Sequence, residues 1–239
     1  MNQTTTFPPY NIFMGTRPLP CPYIKGRVER KVVTDLSTPN AMELYEDLSR
    51  AGFRRSHSLA YRPACPNCNA CIPVRIRVKD FNWSRSFRRI MKRNIDVTAR
   101  DIVGSATEEQ YFLFTRYQKS RHAQSEMASM NFLDFKAMIE DSPIDTRIIE
   151  FRNKKEDLIS AMLADRQLDA LSAVYSLFDP NLSDRSLGTY MILWLIDKAI
   201  KNKASYVYLG YWIEESKKMS YKKRFRPLEG LTPDGWKTI

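Results

Sequence analysis

Four cysteines have a spacing that suggests metal chemistry. Cys65, Cys68 and Cys71 lie in the run CPNCNAC, and Cys21 lies upstream of them. Two CxxC steps with a fourth thiolate suit tetrahedral zinc, and three close thiolates with a distant one also suit an iron–sulfur cluster. Reduced, buried thiols are the alternative, since disulfides are rare inside cells. The sequence predicts four metal ligands but leaves the metal open between zinc and an iron–sulfur cluster.

A second group of side chains could support acyl transfer to an amine. A carboxylate could bind or deprotonate the amine, a histidine could act as the base, and a helix start could face a developing oxyanion. The candidates are Tyr175, Asp169, Asp179, Ser186 and His122. Packing, turn formation and a structural histidine are the alternative interpretations. The chain has two histidines and no convincing Ser-His-Asp set, so we expect no covalent intermediate.

Five cations at helical spacing form a third candidate site. Phe87, Ile90 and Met91 lie on the opposite side of the same predicted helix over 83–94. Like charges on one face repel each other unless an anion such as phosphate neutralises them. The predicted phosphate-binding residues are Arg85, Arg88, Arg89, Lys92 and Arg93, and a solvated helix face is the alternative.

The positive charge of the chain is concentrated near its beginning. The net charge is +11, and residues 1–93 hold 17 Lys and Arg against 6 Asp and Glu, whereas residues 94–239 hold 21 of each kind. This asymmetry predicts a nucleic-acid partner that docks on the first part of the chain. A basic surface without a partner is the alternative. We predict a basic Cys-containing domain over 1–93 and a catalytic domain over 94–239.

Hydrophobic periodicity predicts an α/β (α+β) fold. The stretch LDALSAVYSLFDP is typical of a buried strand, Ser186 is a candidate N-cap of the next helix, and 206–211 is typical of a returning strand, which makes a βαβ unit. Residues 1–26 are expected to form an extended arm, and the end of the chain a Pro/Gly-marked tail. Further strands are expected at 30–36, 56–61, 72–78, 95–103, 146–151 and 158–165, and helices after Thr38-Pro39, at 108–121, at 131–140 and around 217–224.

No segment of the sequence suggests export or membrane insertion. The start, MNQTTTFPPYN, has no basic residue and no apolar run. The longest apolar run, 190–196, is far shorter than the roughly 20 residues that span a bilayer. We therefore expect a cytoplasmic protein with no membrane partner.

The order of elements from residue 95 onward resembles the GNAT-type acyltransferase fold. In that fold an Arg-x-x-Gly-x-Gly/Ala turn before the central helix cradles the pyrophosphate of coenzyme A. Arg185 and Gly188 resemble this turn and are candidate substrate-binding residues, but Tyr190 stands where a small residue is expected. A bulky ring there would crowd a pyrophosphate and favours another acyl carrier.

Longer motifs resemble the aminoacyl-tRNA–protein transferases, and most closely the bacterial aspartate/glutamate leucyltransferases. They are YRPACPNCNACIPVRIRV, LSAVYSLFDP, SLGTY and YVYLGYWIEESKKMSYKKRFRPLE, so the resemblance covers nearly the full chain. It implies transfer of leucine from leucyl-tRNA to the α-amine of proteins that begin with Asp or Glu, which then enter the N-degron pathway. It also implies that the helix cations contact tRNA. An aminoacyl ester is already activated, and the sequence has no GxxxxGK[ST] loop for ATP.

Recognition of an acidic N-terminal residue needs a cation, and leucine needs an apolar pocket. The candidate acid-binding residues are Arg75, Arg77, Lys218 and Lys222, and those for leucine are Leu177, Trp212 and Met219. Three other functions stay open. They are an arginyl-tRNA–protein transferase, a coenzyme A-dependent N-acetyltransferase and a non-catalytic RNA-binding protein with a metal knuckle.

Overall fold

The computed structural model describes residues 11–239. The strands are β1 (Met14–Gly15), β2 (Leu19–Pro20), β3 (Val28–Glu29), β4 (Lys31–Asp35), β5 (Arg54–Ser56), β6 (Leu59–Pro63), β7 (Ile72–Arg77), β8 (Thr98–Val103), β9 (Thr146–Arg152), β10 (Leu158–Arg166), β11 (Ala170–Phe178), β12 (Tyr206–Trp212), β13 (Leu228–Thr232) and β14 (Gly235–Thr238). The helices are α1 (Ala41–Arg50), α2 (Arg85–Arg93), α3 (Glu108–Arg121), α4 (Phe132–Glu140) and α5 (Leu187–Lys201). Short 3₁₀ segments lie at Val78–Asp80, Glu126–Ser129, Ser183–Arg185 and Lys217–Arg224.

An eight-stranded sheet forms the centre of the molecule. Its order is β14-β13-β7-β12-β11-β10-β9-β8. β11 and β12 are parallel, and every other neighbouring pair in this sheet is antiparallel. Parallel neighbours need a crossover connection, and α5 supplies it. The predicted βαβ unit and the mixed α/β fold are therefore confirmed.

Apolar side chains cover both faces of the large sheet. On one face α2 and α5 pack against Phe151, Met162, Val207 and other buried residues. On the other face α3 and α4 pack against a second cluster that includes Ile148, Ala161 and Leu163. Burial of both faces accounts for the nearly continuous apolar sequence of β10, each of whose first eight residues is buried.

A smaller four-stranded sheet, in the order β1-β4-β6-β5, joins the large sheet together with α1. Arg55 donates to both carboxylate oxygens of Asp165 in β10, at 3.0 and 2.8 Å, and both side chains are fully buried. Tyr45 and Thr146 also donate to this carboxylate. A bidentate pair with additional hydrogen bonds satisfies a buried charge, so Asp165 fixes α1 and β5 against the large sheet.

Most predicted elements from residue 95 onward are confirmed to within a few residues. The helix predicted at 108–121 has those bounds, with Thr107 and Gln110 in a capping box. Two predictions are wrong. The strand predicted at 56–61 is a hairpin that turns at His57, whose φ is 55°, and the predicted tail is the hairpin of β13 and β14. The predicted arm lies partly in residues 1–10, outside the described residues.

β7 and α2 belong to the large sheet and its core, although they precede residue 93 in the chain. β7 pairs with β12 and β13, and Val74, Ile76 and Phe87 are buried in the cluster beneath α5. Arg75 of β7 is buried as well, because it stacks between Tyr206 and Trp236. The chain boundary at 93 therefore does not coincide with an edge of the sheet. No helix within residues 11–239 is long and apolar enough to cross a membrane.

Candidate active site between two diverging strands

The parallel strands β11 and β12 pair over three residues and then separate. Pairing runs from Ala170 with Tyr206 to Ser172 with Tyr208, and a bulge in β12 follows before Tyr211 pairs with β7. Within the bulge Gly210 has a φ of 77°, a conformation that glycine adopts without strain. Backbone groups facing the gap lose their partners in the sheet, so other donors must satisfy them.

Two buried cations supply those donors. Arg54 of β5 donates through Nη2 to the Ala173 carbonyl at 2.8 Å, and Lys222 donates through Nζ to the Tyr211 carbonyl. Arg54 is 6% exposed and Lys222 is 7% exposed. No carboxylate of residues 11–239 lies within ion-pair distance of either cation, and Arg54 Nη1 is buried without a hydrogen-bond partner. We use the name wedge for Arg54, Lys222 and the gap between β11 and β12 that they line.

Burial changes the acid–base chemistry of the wedge. The pKa of Lys222 falls to about 7, first because burial removes water from its ammonium and second because the charge of Arg54 repels it. A lysine with this pKa exchanges a proton near neutral pH. Arg54 and Lys222 lie close together, and a bound anion would stabilise the charged form of both.

The C-terminal end of α3 lies beside the second half of β11 and brings Tyr175 and His122 to the same end of that helix. The Tyr175 hydroxyl accepts from Gln118 Nε2 at 2.5 Å, and the pKa of Tyr175 is raised by burial. His122 follows α3, and its Nε2 lies 3.5 Å from the Tyr117 hydroxyl. Partial burial lowers the pKa of His122, and the charges of Lys218 and Arg121 lower it further. A neutral imidazole is the form that can accept a proton.

The two predicted aspartates lie at opposite ends of β11. Asp169 precedes the strand, beside Arg50 at 3.8 Å, and its carbonyl accepts from Ser205. Asp179 follows the strand, pairs with Arg116 at 3.2 Å and accepts from the Asn181 N–H in a turn. A nine-residue strand separates them by roughly 30 Å. The two carboxylates therefore do not come together, and only Asp179 lies at the end of β11 that leads to α5.

Ser186 occupies the N-cap position of α5, as predicted, but its side chain makes no capping hydrogen bond. Its φ and ψ are 54° and 43°, which is a left-handed conformation. Gly188 in the first turn lies against Phe178, so that a methyl group there would approach the ring to 3.2 Å. Gly188 thus allows close packing of α5 on β11, and the free N–H groups of the helix start lie near the end of that strand.

The resemblance to a pyrophosphate-binding turn is not maintained in the side chains. Arg185 pairs with Asp96 and also donates to the Arg93 carbonyl at 3.4 Å, so its charge is already neutralised. Tyr190 is 4% exposed and packs edge-on against Phe151, with ring centroids 5.7 Å apart. The prediction that the Tyr190 ring crowds the loop is therefore wrong, because the ring points into the core.

Three of the four predicted acid-binding cations are engaged elsewhere or exposed. Arg75 donates to Glu229 at 2.8 Å and stacks between Tyr206 and Trp236, which makes it a structural residue. Arg77 pairs with Asp80 at 2.8 Å. Lys218 is exposed on the 3₁₀ segment that also carries Lys222. Lys222 alone among the four is buried without a carboxylate in the part of the chain that the structure describes.

The helix predicted at 83–94 is α2, capped by Ser84, with Phe87 and Ile90 buried and all five cations exposed. Arg93 donates to the Asp184 carbonyl, and Asn94 donates to the Arg185 carbonyl at 2.9 Å. The cationic face of α2 is therefore held beside the loop that begins α5. Arg85, Arg88, Arg89 and Lys92 have no ion pair with any of residues 11–239.

The four cysteines are free and half-buried. The pKa of Cys71 is raised to about 12, mainly by burial and then by the neighbouring thiols Cys65, Cys21 and Cys68. Arg27 donates to Cys68 Sγ at 3.1 Å, and the Arg30 N–H donates to Cys65 Sγ at 3.4 Å. No three His, Cys, Asp or Glu side chains of residues 11–239 are arranged to hold a metal. The four thiols are nevertheless close enough for Cys65, Cys21 and Cys68 to raise the pKa of Cys71.

The predicted leucine-binding residues do not share a pocket. Trp212 is buried in the cluster beneath α5 and Met219 packs against that cluster, whereas Leu177 is buried on the face of α3. Sequence patterns also missed Arg54. Its one signal was its place beside Arg55 in a short strand, because the side chains of adjacent residues point to opposite faces of a sheet.

Comparisons with known proteins agree over the whole fold. The family described as Arginine-tRNA-protein transferase, C terminus, matches residues 109–232, and the corresponding N-terminus family matches residues 19–89. The aspartate/glutamate leucyltransferase of Paramagnetospirillum magneticum is 57% identical, over 95% of this chain and 93% of that protein. The one of Rhodospirillum rubrum is 53% identical, over 95% and 92%.

One solved structure, the C-terminal domain of a putative lysylphosphatidylglycerol synthetase from Agrobacterium fabrum, superposes with a TM-score of 0.48. It is 10% identical, over 78% of this chain and 54% of that one.

A mixed α/β fold with an electropositive wedge, together with these matches, defines a transferase. The chain belongs to the aspartate/glutamate leucyltransferase family.

Proposed function

We propose that this chain transfers leucine from leucyl-tRNA to the α-amine of proteins that begin with Asp or Glu. The observation that carries the proposal is the identity of 57% and 53% to relatives of that name over more than nine-tenths of their length. The product would carry a new N-terminal leucine and enter the N-degron pathway. The reaction would take place in the cytoplasm.

The reaction needs an activated ester and a neutral amine. The acceptor α-ammonium loses one proton, and its nitrogen attacks the carbonyl carbon of the leucyl ester. The resulting oxyanion collapses, the carbon–oxygen bond to the terminal ribose breaks, and the ribose oxygen takes a proton while the new amide nitrogen loses one. Proximity and donors facing the oxyanion supply most of the rate enhancement in such a step.

Groups at the end of α3 and at the start of α5 offer these functions. The neutral imidazole of His122, favoured by its lowered pKa, could accept the proton from the ammonium. The N–H groups at the start of α5, next to Ser186, could face the oxyanion. We assign the leucyl ester to the gap between β11 and β12, next to the end of β11 that leads to α5.

The cationic face of α2 supports tRNA as the acyl donor. Its exposed arginines have no carboxylate partner within residues 11–239, and phosphates would neutralise them. Because α2 is tied to the loop before α5, a tRNA on this face would present its acceptor end toward the wedge.

A coenzyme A-dependent acetyltransferase is the second candidate function. The inward position of Tyr190 removes one argument against it, but Arg185 is neutralised by Asp96 and offers no free charge for a pyrophosphate. Arginyl transfer is the other candidate, because the matched family descriptions name arginine-tRNA.

One assay separates these reactions. The purified protein is incubated with a Glu-initiated peptide and, in separate reactions, with leucyl-tRNA, arginyl-tRNA or acetyl-coenzyme A, and the peptide mass is measured. We expect addition of leucine only. Addition of arginine or an acetyl group instead would contradict the proposal, as would no transfer from any donor.

Metal binding by the cysteines is a separate proposal. Zinc or an iron–sulfur cluster would require the side chains of Cys21, Cys65, Cys68 and Cys71 to turn toward a common point. Elemental analysis of protein purified without oxygen measures the metal content, with Cys65→Ser and Cys68→Ser as the variants expected to lose it. A wild-type protein that is fully active and metal-free would refute this proposal.

A further inference from the structure

We propose that Arg54 and Lys222 together bind the carboxylate of the acceptor's N-terminal Asp or Glu. This inference rests on the proposed function, because it assigns the acceptor to the wedge. It names Arg54, which no motif indicated, and it selects Lys222 from four candidate cations.

The first step is the absence of a partner for either charge. Both side chains are more than nine-tenths buried, and their hydrogen bonds within residues 11–239 go to uncharged carbonyls of Ala173 and Tyr211. A buried cation without a counter-ion lowers the stability of a fold unless a ligand compensates it. Arg54 Nη1 adds a donor with no acceptor. This combination is typical of a site that awaits an anion.

The second step is geometric. A methyl group placed on Gly210 would lie 3.7 Å from Arg54 Nε and 3.8 Å from Lys222 Nζ. Both cations therefore face the same point beside the bulge of β12. A carboxylate that lies slightly closer to the cations than this methyl position could accept hydrogen bonds from both.

The third step is the size of the anion. The site lies where two strands that are paired up to Ser172 and Tyr208 begin to separate, and both cations there are more than nine-tenths buried. A side-chain carboxylate on one or two methylene groups is small enough to reach such a buried point. The phosphates of tRNA would meet the exposed arginines of α2 instead.

The fourth step is discrimination against neutral residues. Gln has nearly the same size as Glu but carries no charge, so neither cation would gain a counter-charge in its complex. Specificity then comes from the cost of leaving buried charges unpaired. The chemistry accounts for a preference for Glu and Asp without requiring a contact that rejects Gln sterically.

The test uses two peptides that differ only by Glu or Gln at the first position. They compete for leucine transfer from leucyl-tRNA, and their direct binding to the protein is measured by calorimetry. The variants are Arg54→Met and Lys222→Met, with Arg54→Lys to retain a charge. The control is Lys223→Met, which removes an exposed cation in the same turn, where Nζ lies 4.3 Å from the centre of the Trp212 ring.

We expect each Met variant to lower the Glu/Gln ratio of kcat/KM by about 30-fold or more, the scale of losing one partner of a buried charge pair. Arg54→Lys should retain part of the preference, and Lys223→Met all of it. Thermal melting of Lys222→Met should be no lower than wild type, because the variant removes an unpaired buried charge. An unchanged ratio in both Met variants would overturn the proposal. An equal loss for both peptides would overturn it too, since it would assign the cations to the ester rather than the acceptor.

The two readouts separate this inference from the proposed function. If binding prefers the Glu peptide, and Lys222→Met abolishes that preference while no leucine is transferred, the reaction is wrong and the carboxylate site stands. If leucine is transferred with an unaltered Glu preference in both variants, the reaction stands and the carboxylate site is wrong.

Discussion

Two adjacent arginines of β5 are both buried and have opposite electrostatic environments. Arg55 forms a bidentate pair with Asp165, and its remaining Nη1 donates to the His57 carbonyl at 2.9 Å. Arg54 reaches the Ala173 carbonyl and shares its surroundings with a second cation, Lys222. Successive side chains of a strand point in opposite directions, so one arginine reaches β10 and its neighbour reaches β11.

The difference separates cations that hold the fold together from cations available to ligands. The pair of Arg75 with Glu229 belongs to the first kind, as does that of Arg55 with Asp165. Arg54 and Lys222 in the wedge belong to the second kind, together with the exposed cations of α2. The presence of a carboxylate partner, rather than burial or local sequence, distinguishes the two kinds.

The largest loss of stability is expected when Arg55 is converted from a paired into an unpaired cation. Asp165→Asn leaves the guanidinium fully buried without a counter-charge, and we expect a loss of about 3–5 kcal/mol in the free energy of unfolding. Urea denaturation measures it. Asp234→Asn, in an exposed pair with Lys237, is the control and should cost under about 1 kcal/mol. Equal losses in the two variants would show that the buried pair contributes no more to stability than the exposed pair.

A smaller stability loss is expected at the other buried pair. Glu229→Gln keeps the shape but removes the charge facing Arg75, which is still stacked on Tyr206, so the loss should be about 1–3 kcal/mol. The Glu/Gln peptide preference should not change, because Arg75 has no role in acceptor binding. A shift in that preference would show that Arg75 takes part in acceptor binding.

The exposed cations of α2 are expected to affect tRNA affinity and not stability. Arg88→Glu with Arg89→Glu should weaken tRNA binding on the order of tenfold at low salt and reduce the salt-dependence slope by roughly 2. Reversal of Lys154 and Lys155, exposed in the turn between β9 and β10, is the matched control. Filter binding at several salt concentrations measures both quantities. Identical affinities for the two double variants would exclude α2 from the tRNA interface.

Lys222 is also expected to make the stability of the protein depend on pH. Its folded pKa of about 7 lies below the unfolded value of about 10.4, and Arg54 is the charged group that adds to the effect of burial. Below pH 7 the lysine is charged in both states and the desolvation cost is fully present. As pH rises from 7 toward 10, the unfolded state binds more protons, so wild-type stability should increase relative to Lys222→Met. Melting curves of wild type and Lys222→Met at about pH 6 and pH 9 would measure this increase. A stability difference between the two proteins that is the same at both pH values would contradict the lowered pKa.

The sequence by itself determined the order of helices and strands, and it did so from local signals. The capping residues around α3, the apolar periodicity of α5 and the β-branched strands all depend on neighbours within a few positions, which is why α3 was predicted with its observed bounds. The cationic face of α2 could also be predicted from local sequence, because helical spacing alone puts its five charges on one side. Family motifs covered nearly the whole chain and identified the reaction class.

Only the tertiary structure decided which charges are free. Arg75 and Lys222 both lie next to other cations in the sequence, yet Arg75 meets Glu229, 154 residues away, and Lys222 meets no carboxylate within residues 11–239. Asp169 and Asp179 are close in sequence but stand at opposite ends of a strand. Arg54 and Lys222 come together because β5 and the 3₁₀ segment after β12 both pack at the gap between β11 and β12. Electrostatic environment depends on distances through space, and contacts between residues far apart in the chain set those distances.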